Sequence, residues 1–470
     1  MAASGDFKVS ICKKEVVAAM LPAQEHWLPQ SNLDLLLPPL KVGVFFCYKK
    51  PSMSFGSIVG VLKKSLSHVL VSYPALAGEI VNNSLGEPEL HCNNHGVEFT
   101  EAYADIQLKH LNFYNPDQSV GNKLMPMLNQ GVLSIQATRL ECCGLVVAIA
   151  FDHRAADAYS ANMFLISWAE TAQSKPLSAI PNFRRSLLNP RRPCRYESSI
   201  EDSYMTISSV HQPNGDKLGQ TDDHKSRIYY IPAAQINQLQ ILASANNNNA
   251  SSIRTKLESF SGYFWKKLAE SGAKEKNSKQ NITKLGVVVD GRTRLLSVDQ
   301  DNDINKTTPS SLSNYFGNVV TFAVSQKNVH DLSKMPLSLV AGEVHESIRA
   351  VTKEHFLGLI DWVEMHRPEP SLTKLFICKS NEGLVSTVSS GLRFPMTEVD
   401  FGWGKPILGS YYFQHGGQYV MPMLSPTANG DWIVYVRLLG KRLQFLESEA
   451  GDLLRPLTYH YLDFDGLNFK

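Results

Sequence analysis

A histidine and an aspartate stand four residues apart in His153-Arg154-Ala155-Ala156-Asp157. Far downstream, a tryptophan stands between glycines in Asp400-Phe401-Gly402-Trp403-Gly404. An imidazole is the side chain whose proton affinity best suits taking a proton from a hydroxyl near neutral pH. His153 is therefore the candidate general base. An acceptor oxygen freed of its proton could attack an acyl thioester directly, with no acyl-enzyme. Two roles are open for Asp157. It can hold the loop by pairing with an arginine, and Arg292 in Asp290-Gly291-Arg292-Thr293-Arg294 is the expected partner. Alternatively it orients His153, as the acid of a Ser-His-Asp triad orients its histidine. Pairing is the favoured role. In the second motif Gly402 and Gly404 permit a tight turn, which Asp400 caps or salt-bridges. Trp403 brings one N–H donor and a large apolar face. It either packs, as most such residues do, or donates toward a developing oxyanion, an interaction worth about 3 kcal/mol. The chain holds no GxSxG, GxxxxGK[ST], GxGxxG or HExxH pattern, so hydrolase, kinase, dehydrogenase and metalloprotease chemistry lack their minimum residues.

The elements that must position these groups are partly legible. The apolar run Gly144–Phe151 reads as a buried strand, which puts His153 just past a strand end and Asp157 one helical turn further, before a helix at 161–171. Val42–Tyr48 is a second buried strand, and 9–17 and 132–140 are further strands. Ile58, Val61, Leu62, Leu66, Val69 and Leu70 fall on one helical face and stop at Pro74. The second half gives strands at 227–231, 285–290, 318–324 and 432–439, and helices at 233–243, 253–268 and 336–359. A polar, proline-bearing stretch separates the halves. The reading is α/β with two lobes of similar size: 1–185, a crossover linker at 186–225, and 226–470.

Composition fits that picture. At 470 residues the chain exceeds one typical domain, and 43% hydrophobic with 19% charged residues suits sizeable cores. A net charge of +2 without basic blocks gives no electrostatic case for nucleic acid or membrane surfaces. Seven scattered cysteines, an odd number with Cys142 and Cys143 adjacent and no CxxC, point to free, mostly buried thiols in a reducing compartment and to no metal site. The short run Val16–Leu21 is interrupted upstream by Glu15 and ended by Pro22, so no signal peptide is expected. The expectation is a cytoplasmic monomer.

The HxxxD and DFGWG motifs, in this order and at this separation, resemble the plant BAHD acyl-CoA-dependent acyltransferases. Ser31-Asn32-Leu33-Asp34, Tyr73-Pro74-Ala75-Leu76-Ala77-Gly78, Asp290-Gly291-Arg292 and Asn314-Tyr315-Phe316-Gly317-Asn318 extend the resemblance over almost the whole chain. It departs at Glu79, where the family usually has arginine. The resemblance implies two lobes of the chloramphenicol-acetyltransferase type with a channel between them, acyl-CoA entering from one face and the acceptor from the other. No bound cofactor is implied: acyl-CoA serves as co-substrate, with Arg294 the candidate phosphate contact, and the partners are small molecules only. Members that acylate shikimate or quinate carry hydroxyl-bearing residues where this chain has Val42, Val44 and Phe46. An apolar lining would leave a polyhydroxy acid unpaired, at about 1–3 kcal/mol per group. Against this, Arg393 stands where shikimate-type members place an arginine that grips the acceptor carboxylate, although it could equally support the turn. The stretch Asp152–Phe164 resembles members acting on coniferyl alcohol. The implied reaction is acetyl transfer from acetyl-CoA to a phenolic alcohol such as coniferyl alcohol. Hydroxycinnamoyl transfer to shikimate or quinate is the alternative, and a non-catalytic acyl-CoA or phenolic binder the less favoured third.

Overall fold

The computed structural model describes residues 6–21, 24–207, 223–245, 253–275, 282–295, 312–376, 384–414 and 417–463. Two large sheets organise them. The first runs, from edge to edge, Val9–Val17, Val97–Ala104, Leu133–Leu140, Leu145–Asp152, Lys41–Tyr48 and Leu408–Phe413. Every residue of Leu145–Asp152 is buried, as a central strand covered on both faces requires. The helices Phe55–Val69 and Ala158–Ala172 pack together beside it, with the Trp168 indole donating to the Leu62 carbonyl at 3.1 Å. The second sheet runs Val320–Asn328, Ile282–Asp290, Leu384–Val388, Tyr419–Leu424, Trp432–Leu439, His224–Ile231 and Arg455–Pro456. Its core is shared with Ala233–Ser244, Lys256–Ala273 and Leu337–Ala350. Each sheet thus carries its own apolar cluster, and the α/β, two-lobed expectation holds.

Three expectations change. The strand Leu408–Phe413 lies in the first sheet, antiparallel to Lys41–Tyr48 with Leu408 opposite Cys47 and Phe413 opposite Val42. The lobe expected at 226–470 therefore lends a strand to its neighbour. The helix expected at 336–359 is two, Leu337–Ala350 and Lys353–His366. Thr352 breaks it, its hydroxyl accepting the His355 N–H as an N-cap. The expected linker is partly built into the second lobe, where Tyr204–Thr206 pairs with Ser371–Thr373. The rest of it at 208–222, the asparagine run at 246–251 and most of the insertion at 296–313 lie outside the described residues. Of the described cysteines only Cys47 and Cys92 are buried, so the expectation of mostly buried thiols holds for just these two; Cys378 lies outside the described residues. Among the described residues no helix is long and apolar enough to cross a membrane.

Candidate active site

Strand ends from both sheets meet at one place. On the first sheet, Asp152 pairs with Lys41 and the chain then turns, the His153 N–H donating to the Leu40 carbonyl at 2.8 Å. Asp157 follows as the N-cap of Ala158–Ala172, its Oδ1 accepting the Ser160 N–H at 2.8 Å. On the second sheet, Asp290 at the end of one strand faces Val320 at the start of its antiparallel neighbour. Arg292 and Asn318 therefore emerge at the same end, against His153 and Asp157.

Arg292 and Asp157 form the junction. Nη1 donates to Asp157 Oδ2 at 2.7 Å and Nη2 to Oδ1 at 3.1 Å, a two-pronged pair across the lobes. The same Nη2 reaches the Ser160 hydroxyl and the carbonyls of Tyr315 and Gly317. The Val319 N–H adds a further donor to Asp157 at 3.1 Å. Both side chains are nearly inaccessible, 2% for Asp157 and 3% for Arg292. Burial opposes the charge on Asp157. Arg292 and the two backbone donors outweigh it and hold the carboxyl below the usual carboxylate range. The arginine expected from the sequence is thus the partner found. The triad-like alternative for Asp157 is corrected: its oxygens are taken by Arg292, Ser160 and Val319, so it is a structural rather than a catalytic residue.

His153 uses another partner. Its Nδ1 lies 3.2 Å from Asn318 Oδ1, and the ring is half-buried. The Asn318 amide nitrogen in turn donates to Asp34 Oδ1 at 2.8 Å and to the His153 carbonyl at 3.0 Å. In the sequence Asn318 and Asp34 stand only as family-like residues, with no role attached. A polar residue fully inside a mostly apolar segment, as Asn318 is at 0% exposure, was the available signal.

Trp403 is elsewhere. Asp400 Oδ1 accepts the N–H groups of Gly402 at 2.8 Å and Gly404 at 2.9 Å, closing a turn in which both glycines have positive φ, 108° and 105°. Gln173 donates to the Asp400 carbonyl. Trp403 stacks on Phe401 and meets Tyr48 edge-on, and the Tyr48 hydroxyl donates to the Val399 carbonyl. Tyr48 pairs with Leu145, whereas His153 follows Asp152 at the other end of the same strand. Seven residues of strand put the two sites roughly 23 Å apart. The oxyanion role for Trp403 is therefore corrected to packing. Trp403→Phe should leave kcat within about twofold of the parent, whereas Asp400→Ala should cost about 1 kcal/mol or less, because the freed Gly402 and Gly404 N–H groups are exposed and take up water. Steady-state kinetics and thermal melts of both variants check this.

Val42, Val44 and Phe46 are all buried in the closed first core, at 3%, 0% and 0% exposure, and only Val42 stands at the His153 end of its strand. The expected place of Val44 and Phe46 in the acceptor pocket is corrected: each step of two residues moves about 7 Å away from His153 along the strand. Arg393 is exposed and makes no hydrogen bond or ion pair among the described residues, so it does not brace the turn. Arg294 donates to the Val351 carbonyl. A recess of about 360 Å³ bounded by Arg254, Met335, Leu339 and Glu343 contains none of the residues above. Among the described residues no cluster of His, Cys, Asp and Glu could hold a metal.

His153 at the meeting of the two sheets, beside the buried Asp157–Arg292 pair, is the placement that an acyltransferase with a histidine base would need. The chain belongs to the Transferase family, the BAHD acyltransferases, whose model it matches over residues 7–453. It is 29% identical to an omega-hydroxypalmitate O-feruloyl transferase of Arabidopsis thaliana over 80% of this chain and 78% of that protein. It is 26% identical to a shikimate O-hydroxycinnamoyltransferase of Nicotiana tabacum, covering 93% and 97% of the two chains. In fold it is similar to vinorine synthase, with a TM-score of 0.69, 19% identity and coverage of 95% and 98%. It is also similar to F. sporotrichioides TRI101 in complex with coenzyme A and T-2, with a TM-score of 0.74, 12% identity and coverage of 91% and 99%.

Proposed function

We propose that this enzyme transfers an acetyl group from acetyl-CoA to the terminal hydroxyl of a phenolic alcohol such as coniferyl alcohol, acting as a cytoplasmic monomer. The observation that carries the reading is His153 at the junction of the lobes, half-buried and held through Nδ1 by Asn318. Nε2 takes the hydroxyl proton as the oxygen attacks the thioester carbonyl. The tetrahedral adduct collapses, the carbon–sulfur bond breaks, and the CoA sulfur leaves with the proton returned from the imidazolium. Ester and free thiol are the products, and no acyl-enzyme forms. Val42, which stands opposite Phe151 at the His153 end of its strand, offers no hydroxyl to a polyhydroxy acid, and this supports the choice of an apolar acceptor.

A second reading, hydroxycinnamoyl transfer to a carboxylated acceptor such as shikimate or quinate, is favoured by Arg393. Its exposed guanidinium has no partner among the described residues and suits a carboxylate. Relatives named for feruloyl and hydroxycinnamoyl transfer point the same way. Product identification by mass spectrometry, with kcat/KM for each donor–acceptor pair, separates the two. The first reading expects coniferyl acetate as the faster product. Faster turnover of shikimate with p-coumaroyl-CoA would overturn it.

A further inference from the structure

We infer that Asn318, anchored by Asp34, is the positioning residue that fixes the tautomer of His153. The inference rests on the reading of His153 as the base and deepens it.

Asp34 Oδ1 accepts the backbone N–H of Asn318 at 2.7 Å. A backbone N–H can only donate, so this carboxylate oxygen must be an acceptor. The same oxygen lies 2.8 Å from the Asn318 side chain, so the atom facing it is the amide NH₂. That nitrogen also faces the His153 carbonyl at 3.0 Å, a second group that can only accept. Two independent acceptors thus fix which way the amide points, a choice that atom positions alone leave open. The atom left facing the imidazole is the amide oxygen, 3.2 Å from Nδ1. Nδ1 must therefore carry the hydrogen, and Nε2 is left with a free lone pair to take a proton.

Asp34 is itself held. Its Oδ2 accepts the Ser31 N–H at 2.9 Å and the Ser31 hydroxyl at 2.7 Å, and Arg185 Nε stands 3.8 Å away. Its side chain is 0% exposed, so the four hydrogen bonds it accepts are shielded from water. Free imidazole does not choose this tautomer unaided; the neighbour on the other nitrogen sets it. Asp34 thus acts on the ring through a neutral amide rather than by direct contact, unlike the acid of a triad.

Nitrogen NMR of histidine-labelled enzyme without substrate reads the tautomer directly, the His153 signal being the one lost in His153→Ala. The expected result is protonated Nδ1 and unprotonated Nε2 in the parent. In Asn318→Leu the Nε2–H form should appear, and kcat should fall about 10- to 100-fold while KM changes less than about threefold. Asp34→Ala should shift the tautomer the same way, with a smaller fall in kcat. An Nε2–H tautomer in the parent overturns the inference, as does an unchanged tautomer in Asn318→Leu. If neither variant folds, the parent spectrum alone decides. Because the spectrum needs no substrate, absence of turnover with every acceptor would defeat the proposed function while leaving this test intact.

Discussion

His153→Ala is expected to lower kcat by about 10²- to 10⁴-fold, the range a positioned general base contributes. Acyl-CoA binding should persist, since the ring makes one side-chain hydrogen bond, to Asn318, and is only half-buried. The fold should persist as well: Asp157, Arg292 and the backbone of the turn keep their partners without the imidazole. Isothermal titration with CoA and steady-state kinetics on the same preparation check both parts. A variant that still binds CoA and still turns over at the parent rate would remove His153 from the chemistry.

The second large effect concerns the ion pair between the lobes. Arg292→Leu leaves the Asp157 carboxylate buried without its counter-charge, which costs about 3–5 kcal/mol. The double variant Asp157→Ala with Arg292→Leu removes both charges and should cost less than the single one, a non-additivity expected for groups in direct contact. The pH dependence has a definite sign. In the parent the folded pKa of Asp157 lies below the unfolded value of about 3.9. Its contribution is therefore present above that value and lost as pH falls through the folded pKa. In Arg292→Leu burial acts on Asp157 with no opposing arginine, and its pKa rises. Lowering the pH toward the carboxylate range should then recover part of the lost stability, where the parent only loses it. Chemical denaturation of the three proteins at neutral and mildly acidic pH tests this. Equal losses in the single and double variants would contradict the role given to the pair.

How much of this was legible in the sequence depended on whether the information was local. His153 could be placed because an unbroken apolar run before it marks a central strand, and a residue just past a strand end faces whatever lies beyond the sheet. Asp157 and Arg292 could be paired in advance because a carboxylate one turn after His153 can hold its loop by pairing with an arginine, and the Asp290-Gly291-Arg292 segment offered one. Leu408–Phe413 could not be assigned to the first sheet, because the partner that stabilises it lies more than 350 positions away in sequence. The break in the helix expected at 336–359 depends on one threonine hydroxyl accepting a backbone N–H, which nothing in the local sequence pattern announces. Trp403 was drawn toward the chemistry by its indole donor. Its actual position follows from the register of Lys41–Tyr48, which decides that Tyr48 and His153 stand at opposite ends of paired strands. Asn318 carried no role because an amide has no charge to announce one. Its importance lies in three hydrogen bonds of fixed polarity that exist only once both sheets have met.

The most direct test of the central claim is the release of free thiol from acetyl-CoA by the purified enzyme, followed with and without coniferyl alcohol. Acyl transfer to an alcohol predicts release that depends on the alcohol, with one thiol freed per ester formed. Release that is the same without an acceptor, or no release with coniferyl alcohol or with shikimate and p-coumaroyl-CoA, would contradict it.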